Sequence, residues 1–89
     1  MSEIEYLSRV RVGDAPLMHR RAKKALVAAL GEMITMADVG QVSLDEMNRM
    51  RGMGPSAVQS VIMSLRACVA ASKNARTALE VAMEEDKHG

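Results

Sequence analysis

Apolar side chains recur every three to four positions along most of this chain, the spacing that lays one stripe of an α-helix against a core. Met18, Ala22, Ala25, Leu26, Ala29, Leu30 and Met33 form the first stripe. Asp14 reads as its N-cap and Pro16 falls in the first turn, so a helix is predicted over 14–30 with Gly31 as its stop. Thr35 is placed to cap a short turn over 36–39, ended by Gly40. Ser43 followed three residues later by Glu46 is a capping box, and it opens a helix over 44–50 that turns Leu44, Met47 and Met50 toward the core.

A second change of phase follows at Arg51, Gly52, Met53, Gly54 and Pro55. A helix ends, two glycines flank one apolar residue, and a proline opens the next helix, whose Ala57, Val58, Val61, Ile62, Leu65, Cys68 and Val69 keep helical spacing. These five residues fit a helix-hairpin-helix whose glycines free backbone amides for a phosphate oxygen. They equally fit an αα-corner whose glycines serve packing alone. Beyond Val69 a weaker stripe of Ser72, Ala75, Leu79, Ala82 and Met83 continues, either as one long helix or as two that abut near 72–74. That stripe is suited to docking back on its own domain or to packing on a second copy.

The expected fold is therefore all-α: a compact bundle of four to five short helices with a helix-hairpin-helix and a helical C-terminal extension. Residues 1–13 are expected as an N-terminal arm, because the alternation of Val10, Arg11 and Val12 is too brief for a strand. Residues 14–70 make the domain. Residues 71–89 form a helical tail ending in a disordered acidic end.

Composition narrows the function classes. At 89 residues the chain supports one small core. It has nine Met, one Tyr, and no Phe or Trp, so bases have no aromatic shelf to stack on except Tyr6. A single cysteine, Cys68, and two histidines, His19 and His88, assemble neither a disulfide nor a zinc cluster, and no metal or cofactor is expected. The longest apolar run, 25–30, is far too short to span a membrane, so a cytoplasmic protein is expected. Asp45 and Glu46 lie in a capping box and Glu84, Glu85 and Asp86 in the tail; neither group is a buried acid pair, and no nucleophile is placed beside a histidine. A non-enzymatic role follows.

The net charge of +1 hides an asymmetry: residues 1–30 hold six basic and three acidic side chains, whereas the tail is acidic. Arg20, Arg21, Lys23 and Lys24 place four cations in five positions on the face opposite the apolar stripe. A solvated helix face needs fewer, so this one is a candidate for meeting an anion. Arg49 and Arg51 flank the hairpin and add charge there.

Thr35 to Val39, then 42–50, then Arg51 to Val58, Ile62 and Leu65 together resemble the C-terminal domain of the bacterial RNA polymerase alpha subunit, over about 17–68. A more distant likeness is to the actinobacterial type of integration host factor. Both resemblances imply binding to duplex DNA. The first implies that an Arg at the start of the basic helix enters the minor groove while hairpin amides hold phosphate. Arg21 takes that place if two extra residues are allowed near 31–33; an ungapped alignment puts Lys23 there. Lys24 stands where the family has Asn. Gly54 matches the hairpin glycine, while Ser56, Ala57 and Ser60 replace the Lys, Ser and Glu that support it. The family's subunit also has a large assembly domain, which this sequence lacks, so the resemblance implies a free-standing regulator of bacterial or phage type.

The expected DNA-contacting residues are Arg20, Arg21, Lys23, Lys24, Arg49, Arg51, Gly52, Gly54 and Ser56. The expected partner is duplex DNA, with RNA polymerase or another transcription protein as a further one. The alternative is an interaction module that has lost DNA binding and either docks on the transcription machinery or pairs with itself through the C-terminal helix.

Overall fold

The computed structural model describes residues 2–88, with side chains through residue 84. Six α-helices carry the fold: α1 (Glu3–Ser8), α2 (Arg20–Leu30), α3 (Met36–Val39), α4 (Leu44–Arg49), α5 (Pro55–Asn74) and α6 (Ala78–His88). A 3-10 turn spans Val12–Asp14, and the described residues contain no strand. The all-α bundle with a helical extension is as the apolar spacing predicts. None of these helices is long and apolar enough to cross a membrane.

The longest helix, α5, is the spine against which α1, α2 and α4 pack. Its buried row is Ala57, Val58, Ser60, Val61, Ser64, Cys68 and Ser72, and most of these side chains are small, so neighbouring backbones approach closely. The core is completed by Met18, Ala22, Ala25 and Leu26 of the α2 region, Met36 and Val39 of α3, Met47 of α4, and Met53 from the hairpin. Unbranched methionine fills the gaps that rigid aromatics would fill elsewhere. Burial raises the pKa of the free Cys68 thiol and keeps it protonated within this core.

Short caps set the helix boundaries. Thr35 and Asp38 make a reciprocal capping box on α3, with the Thr35 N–H donating to Asp38 Oδ2 at 2.9 Å. Ser43 Oγ accepts from the Glu46 N–H at 3.1 Å, and among the described residues the return bond from the Glu46 side chain is not made. Gly31 ends α2 at φ 106°.

Three expectations are corrected. The basic helix begins at Arg20, not Asp14, because the preceding segment is held elsewhere: the Val12 N–H donates to the Ile34 carbonyl and the Met36 N–H to the Val10 carbonyl. This pairing, with its single bridge at Arg11 and Thr35, buries Val12 and Ala15 and draws Asp14 into the 3-10 turn. For the same reason residues 1–13 are no free arm. Ser2 caps α1, which packs on α3 and α5, and Tyr6, Leu7 and Val10 lie against the core. Finally, Ala29, Leu30, Met33 and Leu44 are exposed, since they lie at or beyond the ends of α2 and α4, where each stripe runs off the core. The tail is a separate helix, α6, whose backbone continues to His88; the side chains of the acidic end and Gly89 lie outside the described residues.

The hairpin between α4 and α5 closes as a four-residue turn in which the Met53 N–H donates to the Met50 carbonyl at 3.1 Å. Gly52 occupies its third position at φ 86°, the conformation that a type II turn requires there and that side chains resist. Gly52→Ala should therefore cost about 1–2 kcal/mol. For a domain of this size thermal unfolding should fall by about 4–8 °C per kcal/mol, measured by circular dichroism.

Candidate nucleic-acid interface

Two segments distant in sequence meet on one face. Residues on α2 supply Arg20, Arg21 and Lys24, the hairpin supplies Arg51 and Gly52, and together with Ala25 and Ala28 they line a groove of about 500 Å³. The reason is geometric. Positions 21, 24, 25 and 28 share one helical face, and the hairpin turn carries Arg51 at its exposed corner beside the buried Met53 plug. The floor is two alanines, so the cations stand at the rim of a shallow apolar trough.

The groove is electrostatically one-sided. Among the described residues, no carboxylate pairs with Arg20, Arg21, Lys24 or Arg51. The start of α2 has no acidic residue in its first turn and no side-chain cap from His19. Cations there oppose the helix dipole, at about 0.3–1 kcal/mol each near the terminus, and Arg20 faces Lys24 one turn on as a like-charge pair. The fold tolerates this local conflict rather than relieving it, which is the pattern expected where a side chain is kept for a ligand.

The remaining expected contacts lie elsewhere. Lys23 is tied down, its Nζ donating to the Gly13 carbonyl at 2.9 Å, so it braces the 3-10 turn. Arg49 is exposed in the last turn of α4 and does not line the groove. Gly54 is the N-cap of α5 at φ −98°, a conformation open to any residue, and a Cβ there would meet nothing within 4 Å. Ser56 lines a different hollow, with Leu17, His19, Gln59, Ser60 and Met63. Ala57 is buried, so the position at which the resembled family has a supporting Ser faces the core.

Ser60 was expected only as a lost contact, and it has a structural role instead. Its hydroxyl is buried, donates to the Ala57 carbonyl at 2.7 Å and accepts from the His19 N–H at 3.1 Å. This single bond ties the start of the basic helix to the first turns of α5, just beyond the hairpin. Sequence spacing offers no signal for a partner 41 residues away. The Ala25 and Ala28 floor, by contrast, is visible in the sequence as small residues one turn beyond Arg21 and Lys24. Tyr6 packs against the core, which removes the one aromatic available for base stacking. Among the described residues no three acidic, His or Cys side chains gather as a metal site.

No family model, curated protein or solved structure matches this chain.

Ser60 and Ser64 make a paired test. Ser60→Ala removes the acceptor of the His19 N–H and should destabilise the fold by about 1 kcal/mol. Ser64 Oγ is buried without a hydrogen-bond partner, so Ser64→Ala should be neutral or stabilising. Denaturant unfolding of the two variants side by side reads the difference, and equal losses would contradict the assigned bond.

Proposed function

We propose that this chain is a non-enzymatic module that grips duplex DNA by its backbone and minor groove, with weak sequence selectivity, as a transcription or nucleoid-type regulator. The observation that carries this reading is the convergence of Arg20, Arg21, Lys24 and Arg51 on one groove without a carboxylate among the described residues to neutralise them. Three of the four are arginines, whose planar, weakly hydrated guanidinium suits phosphate oxygens and a narrow, electronegative minor groove.

The alanine floor lets a sugar-phosphate ribbon approach the helix closely, and Gly52 and Gly54 keep the hairpin free of side-chain bulk at its edge. Duplex is favoured over single strands because base stacking has no aromatic platform. Sequence selectivity is expected to be weak, since backbone contacts carry no base information and the minor-groove edge separates mainly A·T from G·C.

Four neutralised phosphates predict a slope of log affinity against log salt of about −3 to −4, at roughly 0.9 per contact. Anisotropy titration of an AT-rich duplex across salt concentrations measures it. Combined Arg21→Ala and Lys24→Ala substitution should flatten the slope by about 2, whereas Lys23→Ala should change it far less because that ammonium is held on Gly13. Binding that is insensitive to salt, or equal effects of the two variants, would refute the proposed face.

A further inference from the structure

Along the edge of the core α5 carries a further row: Ile62, Leu65, Arg66, Val69, Ala70, Lys73 and Asn74 line a hollow of about 540 Å³. Ile62 and Leu65 only partly join the core, and Ala70 is exposed. The row is apolar along its middle with cations beside it, and α5 contains no acidic residue at all.

An element of matching character leaves the same helix. On α6, Ala78, Leu79, Ala82 and Met83 share one face, and Leu79 and Met83 stand 69% and 55% exposed. The sequence of α6 holds Glu80, Glu84, Glu85 and Asp86 against Lys87. An apolar, acidic helix thus follows an apolar, basic row that is left half-buried among the described residues.

The dimensions decide which α6 fits. Helix α5 has 20 residues and α6 has 11, about 30 and 16 Å of helix. The molecule measures 55 Å along its longest axis against 22 and 20 Å across, so the two helices run on lengthwise and α6 points away from its own α5 row. Its direction is set locally: Thr77 Oγ1 accepts from the Glu80 N–H at 3.1 Å, and Arg76 pairs with Glu84. Two such rods placed antiparallel about a two-fold axis near residues 75–77 would lay each α6 along residues 62–74 of the other, a stretch of about 19 Å.

We infer that the chain forms a symmetric dimer in which the Leu79 and Met83 face of each α6 occupies the Ile62, Leu65 and Val69 row of the other copy, so that a helix acidic in sequence lies along a row carrying Arg66 and Lys73. This inference is independent of DNA binding. It is self-complementary, as a two-fold interface must be, and it covers the exposed face of α6 and the half-buried row of α5 at once. It also leaves the groove of Arg21, Lys24 and Arg51 open, on other residues of each copy.

Sedimentation equilibrium of the full chain tests it. The expected mass is twice 9.6 kDa, falling to 9.6 kDa in Leu79→Asp/Met83→Asp, whose changes lie on exposed positions and should leave the helical signal of the bundle intact. A second measurement fixes the site: chains carrying Ala70→Cys and chains carrying Ala82→Cys, mixed and oxidised, should cross-link to one another. A monomeric wild type, a dimer that survives the double substitution, or a disulfide that forms only within one chain of the Ala70→Cys/Ala82→Cys double variant would each overturn the inference. The last would mean that α6 folds back on its own α5.

Discussion

The hydrogen bond from the His19 N–H to the buried Ser60 hydroxyl is the constraint on which the candidate interface depends. Helix α2 starts without a side-chain cap and with cations in its first turn, so its N-terminus has little local reason to be where it is. Ser60 supplies the acceptor that a capping-box carboxylate would normally offer to the N-cap amide, from another helix. Because Ser60 lies one turn beyond the hairpin, the same contact brings Arg20, Arg21 and Lys24 beside Arg51.

The charges in that groove are held together against their own repulsion. Neutralising them with nearby acids would have been the simplest stabilising solution, and the molecule places its acids off the groove lining: on α1, in the 3-10 turn, at Glu32, in the first turns of α3 and α4 and on α6. The two ends of the molecule thus differ in sign. Under the proposed reading, the basic groove on the bundle would meet an anionic polymer on residues other than those of the acidic helix.

Much of the fold was legible in the sequence because it is written in short-range chemistry. Thr35, Ser43, Gly31, and Pro55 at the head of α5 are all local signals, and each marks a boundary that the structure keeps. The start of α2 was not legible, since Asp14 and Pro16 look like a helix opening until the pairing of residues 10–12 with 34–36 removes them from it. Helix α1 has six residues, too few for a periodic stripe. Of the site, the cation cluster and the hairpin were visible as separate features, and periodicity cannot say that they share a groove. Nor can it tell that Lys23, lying among the other cations, turns instead to the Gly13 carbonyl, or that Ser60 is a brace. Long-range contacts fix these details, and a single sequence does not encode them in spacing.

In the proposed function the start of α2 and the hairpin act as one surface toward duplex DNA. The most direct measurement is a titration of the isotopically labelled protein with a short AT-rich duplex, followed residue by residue through its backbone amide resonances. The amides of residues 20–24 and of 51–54 should move together, with the same midpoint, while those of α6 stay in place. Shifts confined to α6 or to the half-buried row of α5, with residues 20–24 unmoved, would contradict the proposed function.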